Sequence, residues 1–190
     1  MAMAFSFASC DDFLTLESPD ELTSDSFWRD KEDVESAMSA AYSQLYMTTT
    51  TNYPWDFPEV KWPVEAYRED IIDLGKDATN YQNWVELYDF SYTNGNSQFT
   101  IYWEAQYRGI NFANEILDKV AGMSQQALPE ADRKPLIAEA HFLRGFYTMQ
   151  LLLNWKQIII RDKYATSGES SVLDKPLSSR EDAWNFVISD

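Results

Sequence analysis

The chain has 190 residues, enough for one domain with a buried core, and a formal net charge of −16 that argues against a nucleic-acid partner. One Cys and one His exclude a disulfide framework, a Cys/His zinc site and most Cys–His or Ser–His–Asp catalysis, so we expect no metal or other cofactor. Six Gly without a glycine-rich loop exclude a phosphate cradle, and no apolar run is long enough for a transmembrane helix.

The first ten residues are small and apolar and end in Cys10. This pattern is typical of the end of a lipoprotein signal, in which the cysteine is lipidated and becomes the mature N-terminus. The alternative is an incidental cysteine in a disordered N-terminus. Two or three acyl chains on Cys10 would anchor the protein stably to a membrane. We therefore predict residues 1–10 as a signal remnant and 11–190 as the domain, with an acidic tether leading into it.

The first helix of the domain is predicted to begin at Asp30. Asp30 is a favourable N-cap, and Glu32 and Asp33 place carboxylates in the first turn, where the helix dipole favours them. An apolar stripe with helical spacing follows: Val34, Ala37, Met38, Ala41 and Leu45. This stripe predicts a helix that packs against the rest of the domain.

The helical pattern breaks down between Tyr53 and Tyr92. Prolines and a glycine are expected to interrupt any long helix there, leaving at most a short helix near Glu65–Leu74. The interrupting residues are Pro54, Pro58, Pro63 and Gly75. Long irregular insertions in compact domains are usually functional or packed loops.

Aromatic residues are concentrated in this insertion, among carboxylates and amides. A pyranose ring has a flat C–H face that packs on an aromatic ring, while its hydroxyls need polar partners. The insertion is therefore the candidate ligand site, and the candidate binding residues are Trp55, Trp62, Tyr81 and Trp84. The alternative for each of these rings is packing within the core or the loop.

Two long helices are predicted next, as an αα-hairpin around which the domain is built. The first spans about Gln98 to Val120 and ends at Gly122 in a left-handed turn. The second begins near Pro129, which the first turn of a helix tolerates. Each helix has one apolar face, and small residues at Gly109, Ala113 and Ala140 are expected to allow close approach of the two backbones.

The last part of the chain predicts a short strand or extended exit at Ile158 to Ile160 and another helix after a serine cap. Ser178 with Glu181, or Ser179 with Asp182, has the spacing of a capping box. The chain ends at Asp190, about three turns into this helix. We therefore expect a domain that is truncated at its C-terminus.

Five motifs occur in a fixed order along most of the chain. They are Cys10-Asp-Asp-Phe-Leu14, the first helical segment made of Thr23-Ser-Asp-Ser-Phe-Trp28 with Asp33 to Tyr42, Tyr107-Arg-Gly-Ile-Asn-Phe-Ala-Asn114, Glu139-Ala-His-Phe-Leu-Arg-Gly-Phe-Tyr147 and Arg180-Glu-Asp-Ala-Trp184. In type and order they resemble the N-terminal third of the SusD/RagB family of outer-membrane nutrient-binding lipoproteins. The sequence departs from the family pattern after the second long helix, where Trp155 to Ile160 replace a Gly-Gly-x-Pro type turn.

The resemblance implies an all-α fold of tetratricopeptide-like helix pairs, here with an aromatic-rich insertion. It also implies a lipid-anchored protein of the outer membrane, exposed at the cell surface. Such a protein captures oligosaccharides without cleaving them and passes them to a SusC-like TonB-dependent transporter.

Two other functions are compatible with the sequence. The helix pairs can serve as a protein-interaction module that docks on the transporter through exposed apolar residues of the hairpin and binds little ligand itself. The abundant carboxylates also allow a glycoside hydrolase, although no pair has a defined spacing and the adjacent Glu69 and Asp70 diverge.

Overall fold

The computed structural model describes residues 27–45, 56–76, 80–166 and 174–190, with the backbone alone for 56–60. These residues form helices and no strand, which confirms the predicted all-α class. No described helix is both long and apolar enough to cross a membrane. Cys10 and Trp55 lie outside the described part of the chain. The helices are α1 (Lys31–Ser43), α2 (Asp56–Ala66), α3 (Gln82–Tyr88), α4 (Ser97–Gly122), α5 (Glu130–Asn154) and α6 (Arg180–Ser189).

The antiparallel hairpin of α4 and α5 is the centre of the fold, as predicted, and α1, α2 and α6 pack against it. At Gly109 the space left by the missing side chain admits a ring of the facing helix: a Cβ there would lie 2.6 Å from the Tyr147 ring. The Tyr147 hydroxyl then donates to the carbonyl of Ala41 in α1, at 2.6 Å. Tyr147 therefore joins three helices, and burial raises its pKa.

The end of α4 differs from the prediction. Gly122 is the last residue of the helix and is not in the left-handed region; the chain leaves through Met123 in an extended conformation. The backbone carbonyls at the end of α4 accept hydrogen bonds instead from the Arg133 side chain of α5. Its guanidinium donates to the carbonyls of Val120, Met123 (2.7 Å) and Leu128 (3.1 Å). A long-range side-chain cap therefore replaces the glycine turn.

Helix α1 begins as predicted. The Asp30 carboxylate accepts hydrogen bonds from the backbone amides of Glu32 and Asp33. The hydrogen-bonded Arg29 guanidinium, 3.0 Å from the Asp33 carboxylate, holds the pKa of Asp33 below its usual range. The predicted stripe faces the hairpin, with Val34, Met38 and Ala41 buried and Ala37 and Leu45 partly buried.

The predicted helix near Glu65–Leu74 is wrong. The structure has α2 at Asp56–Ala66, followed by turns that lead to α3. Pro63 lies inside α2, so its expected interruption of the helix is also wrong. Burial outweighs the lost helical hydrogen bond there, because Pro63 is buried and Val64 packs in a core cluster with Leu87. Residues 69 to 71 are exposed, Ile71 by 82%, so burial does not support a helix through them.

The chain after α5 is extended and forms no strand with the described residues. Ile158 is fully buried, and its carbonyl accepts from the Ser178 amide at 2.7 Å. Ser179 caps α6 by accepting from the Asp182 amide, so the second of the two predicted capping pairs is the one used. Ala183 then packs α6 against the core.

Candidate functional site

Two clefts lie side by side where the first half of α4 meets the chain that follows α5. Both are lined by Trp103 and Glu104. We call the first, of about 420 Å³, the Tyr107 cleft; residues 159–166 form its other wall. We call the second, of about 430 Å³, the Arg68 cleft; it is also lined by Tyr92 and Asn154. Each has room for a small ligand of a few hundred cubic ångströms.

The Trp103 indole is the wall that the two clefts share. Its ring centroid lies 4.8 Å from that of Tyr107, one turn further along α4, and 5.1 Å from that of Trp155 at the end of α5. Trp155 packs in turn against the buried Tyr102 ring, at 5.7 Å. Trp103, Tyr107 and Trp155 are each partly exposed, so this group offers aromatic surface to a ligand.

Three side chains on one face of α4 hold the outer wall of the Tyr107 cleft. The Tyr107 hydroxyl accepts from the Ile159 amide at 2.8 Å and donates to its carbonyl at 2.9 Å. The Asn111 amide group pairs with both backbone groups of Ala165, at 3.0 and 3.2 Å. Asn114 donates to the carbonyls of Arg161 (3.0 Å) and Lys163 (3.1 Å). Because Tyr107 is buried at its hydroxyl end, its pKa is raised to about 12.

Arg144 supports this arrangement from α5. It is 8% exposed, and it donates to the Asn114 side-chain oxygen at 2.8 Å. It also contacts the Asp190 carboxylate, at 2.7 and 2.5 Å, and the Phe186 ring, at 5.0 Å. His141 binds the same Asp190 carboxylate at 2.9 Å. One buried guanidinium thus connects α6 to the side chain that positions the cleft wall.

The Arg68 cleft is held from the side of α2. Arg68 donates to the Val64 carbonyl at 2.8 Å and to the Asn154 side chain at 3.1 Å. The buried Tyr102 hydroxyl donates to Glu65 at 2.7 Å. Burial, together with this hydrogen bond to a carboxylate, raises the pKa of Tyr102. These bonds fix the insertion against the hairpin and give the cleft a polar rim.

Three of the predicted site residues, Trp62, Tyr81 and Trp84, lie in a different place. Trp62 and Tyr81 are 54% and 48% exposed. Tyr81 stacks on Trp84 at 4.3 Å, and both Trp84 and Trp62 contact the Tyr67 ring edge-on, at 5.8 and 6.4 Å. The structure thus brings Trp62, Tyr81 and Trp84 together in one aromatic cluster, but none of them lines either of the two clefts.

Sequence reasoning missed Trp103, Tyr107 and Trp155 because it searched for ligand contacts only in the insertion. Two signals were available. Trp103 and Tyr107 are four residues apart, one turn on the same face of a helix. The departure from the family pattern also begins at Trp155, which the structure places against Trp103.

The lining of the two clefts suits binding better than acid–base chemistry. Among the described residues that line them, the only carboxylate is Glu104, whereas glycoside hydrolysis usually requires two. The described residues also contain no group of three or more His, Cys, Asp and Glu side chains suited to hold a metal. What the clefts do offer is aromatic surface beside amide, carboxylate and guanidinium groups.

Comparison with solved structures shows the same fold in SusD-like proteins. A SusD-like protein from Bacteroides fragilis aligns with a TM-score of 0.68 and 20% identity, over 91% of this chain and 30% of its own. A SusD superfamily protein from Bacteroides vulgatus gives a TM-score of 0.69 and 22% identity, over 86% of this chain and 33% of its own. A SusD-like carbohydrate binding protein from Bacteroides fragilis gives a TM-score of 0.63 and 17% identity, over 86% of this chain and 30% of its own. The chain therefore spans about a third of their length.

These structures support the predicted tetratricopeptide-like arrangement of the helices. No curated protein matches the chain. A SusD-like family model, described as "Starch-binding associating with outer membrane", matches residues 12–177. Because that match covers most of the 190 residues, the chain belongs to the SusD-like family.

Proposed function

We propose that this chain is part of a protein that captures oligosaccharides at the outer membrane and binds them without cleaving them. The observation that carries the proposal is the Trp103 indole, partly exposed between two clefts. The C–H face of a sugar ring would pack on this indole, and its hydroxyls would find Glu104 and Asn154 within the same lining. The family description, which names starch binding, supports the same class of ligand.

The cellular setting is part of the proposal. A lipid on Cys10 would tether the protein to the outer membrane with its domain at the cell surface, and the captured glycan would pass to a SusC-like TonB-dependent transporter. Support comes from the lipoprotein-like pattern of residues 1–10 and from the family description, which names the outer membrane. Mass spectrometry of the membrane-extracted protein tests the anchor, since a lipidated Cys10 adds the mass of its acyl chains.

The binding site is tested by calorimetric titration of the protein with starch-derived and other oligosaccharides. We expect Trp103→Ala to weaken the affinity for the bound glycan at least about tenfold, because the stacking surface is lost. Trp62→Ala removes an equally large, exposed ring outside the clefts and is the matched control. Loss of affinity in Trp62→Ala or Trp84→Ala, with Trp103→Ala unchanged, would move the site to the predicted cluster in the insertion.

Catalysis is tested in the same samples. We expect no sustained release of reducing sugar from any glycan that binds. Release that disappears in Glu104→Gln would contradict a purely binding role, since Glu104 is the carboxylate that lines both clefts.

A second candidate function is docking on the transporter, and one surface favours it. An apolar stripe runs along the outer face of α5, with Phe142 63% and Leu153 62% exposed and the partly buried Phe146 and Met149 between them at three- and four-residue steps. The Phe142 and Phe146 rings stack at 6.5 Å. In a chain with a net charge of −16, a stripe without charge is a feature that suits a protein interface.

Docking is tested by co-purification with the transporter. The double variant Phe142→Ser and Leu153→Ser is expected to lose the complex while it keeps glycan affinity. Leu177→Ser, which changes an exposed leucine outside the stripe, is the control. A complex that survives the double variant would exclude the stripe as the docking surface.

A further inference from the structure

The charge lining the Tyr107 cleft differs from that of the rest of the chain. Overall, 31 acidic side chains outnumber 15 basic ones. In the cleft lining the order is reversed: Arg161 and Lys163 are basic, and Glu104 is the one acidic residue. A cationic wall in an acidic protein is expected to attract an anion and to disfavour other acidic surfaces.

The residue between the two cations does not cancel them. Asp162 forms an ion pair with Lys175, so its charge is already matched by another cation. This hydrogen bond with Lys175, with a further contribution from Lys163, holds the pKa of Asp162 below its usual range. The cleft wall therefore keeps a positive balance even when Asp162 is counted.

The two cations are presented by a backbone that is already fixed. The carbonyls of Arg161 and Lys163 both accept from Asn114, and Tyr107 and Asn111 hold the chain on either side. Arg161 also interacts with other groups of the protein, and its charge acts on the Tyr107 hydroxyl beside the cleft. Lys163 is exposed. Binding would thus require little ordering of the main chain, which favours affinity.

From this geometry we propose that the Tyr107 cleft binds a sugar unit that bears a carboxylate, a uronic acid residue within a glycan. The ring of that unit packs on Trp103, and its carboxylate faces Lys163 and Arg161 across the cleft. A neutral glycan would use the aromatic wall alone. The inference rests on the proposed function of this site and specifies the class of glycan.

The experiment compares pairs of glycans that differ in charge and otherwise only by a methyl group. Oligosaccharides of galacturonate, alginate and hyaluronan are each titrated at neutral pH as the unesterified acid, which is then a carboxylate, and as the methyl ester, together with neutral starch oligosaccharides. We expect at least one acid to bind about tenfold more tightly than its ester, as for a charge-assisted hydrogen bond. Added salt should weaken the binding of the acid and leave that of the ester unchanged.

The cation is tested by Lys163→Gln. We expect this variant to lose most of the preference for the acid and to keep its affinity for the ester. Lys156→Gln is the matched control: it removes the same charge from an exposed lysine that lies outside both clefts. Equal effects of the two variants would show a general charge effect and would overturn the proposal.

The remaining outcomes separate the two proposals. Binding of neutral glycans or esters with no gain for any acid would overturn the uronic acid inference and leave glycan capture standing. No binding to any glycan would overturn the proposed function and the inference together. Sulfated and unsulfated chondroitin are added as a further pair. A gain in affinity that depends on sulfate alone would show that the cleft recognises a sulfate and not a carboxylate, and it would overturn the inference as stated.

Discussion

At the scale of single residues, Asn114 joins the wall of the Tyr107 cleft to Arg144 of α5. It is 2% exposed, and its side chain donates to two carbonyls of the cleft wall and accepts from Arg144. Both N–H donors of its amide nitrogen and one acceptor position of its amide oxygen are therefore used inside the protein. The motif from Tyr107 to Asn114 thus has a physical role: its polar side chains hold a segment that has no regular structure.

We expect Asn114→Ala to lower the free energy of unfolding by about 2–3 kcal/mol. The substitution leaves the Arg144 guanidinium and two backbone carbonyls with fewer partners in a buried place. Urea denaturation followed by circular dichroism measures the effect. The control is Asn185→Ala on the exposed face of α6, where a change within about 0.5 kcal/mol is expected. Equal effects at the two positions would show that the Asn114 bonds contribute little.

The residues that sequence reasoning placed correctly are those whose partners are near in sequence. Asp30 caps α1 through amides two and three residues away, and Ser179 caps α6 in the same way. The candidate site was missed because its contacts are distant: Tyr107 and Ile159 are 52 residues apart, and Asn111 and Ala165 are 54 apart. No local sequence pattern in either segment predicts that the two segments are in contact. Whether Trp62, Tyr81 and Trp84 bind a ligand stays a prediction.

At the scale of elements, the two glycines of α4 have opposite environments. A Cβ on Gly109 would lie 2.6 to 2.8 Å from atoms of the Tyr147 ring, whereas a Cβ on Gly122 would meet nothing within 4 Å. The first glycine is needed for packing between α4 and α5. The second was expected to end the helix, but Arg133 performs that task instead.

We expect Gly109→Ala to lower the free energy of unfolding by about 1–3 kcal/mol, because the Tyr147 ring must move and its bond to Ala41 is disturbed. Gly122→Ala should raise it by about 0.5 kcal/mol, because alanine has the higher helix propensity. Thermal and urea unfolding of the pair measure both changes. A loss of stability in Gly122→Ala would indicate that the helix end depends on glycine after all.

The aromatic insertion shows why propensity alone misplaced α2. Pro63 is a poor helix residue, yet it lies in a helix because Val64 and Tyr67 are buried beside Leu87 and Tyr102. The free energy gained by burying these two side chains outweighs that of the one helical hydrogen bond lost at proline. A single sequence does not show which apolar residues find such partners, whereas the hairpin helices were predicted well because their apolar spacing extends over many turns.

At the scale of the whole molecule, four tyrosine hydroxyls join segments that are distant in sequence: those of Tyr42, Tyr102, Tyr107 and Tyr147. Hydrogen bonding to Glu139, together with burial, raises the pKa of Tyr42 to about 12, and burial raises that of Tyr107 to about 12. The pKa of Tyr102 and that of Tyr147 are also raised, mainly by burial. In the unfolded chain each of these groups has the ordinary pKa of 10.0.

The sign of the pH dependence follows from these shifts. The folded protein holds the four phenolic protons more tightly than the unfolded chain does, so their contribution to stability is complete below pH 10 and decreases as the pH rises toward about 12. We expect the urea midpoint to fall steadily between about pH 10 and 12 and to be flat between about pH 8 and 9. Absorbance of tyrosinate at 295 nm should rise together with unfolding. An unchanged midpoint up to pH 12 would contradict this account.

The wall of the Tyr107 cleft has one further consequence, for how such proteins diversify. Tyr107, Asn111 and Asn114 form hydrogen bonds with main-chain atoms of this wall, and every residue type other than proline has the same main-chain groups. The bonded residues are Ile159, Arg161, Lys163 and Ala165. The path of this segment is therefore set by α4 and not by the residues that it carries. Relatives that keep those three residues would be able to exchange the side chains opposite Trp103 at little cost in folding, so the chemistry of the cleft would change while the path of its wall stays the same.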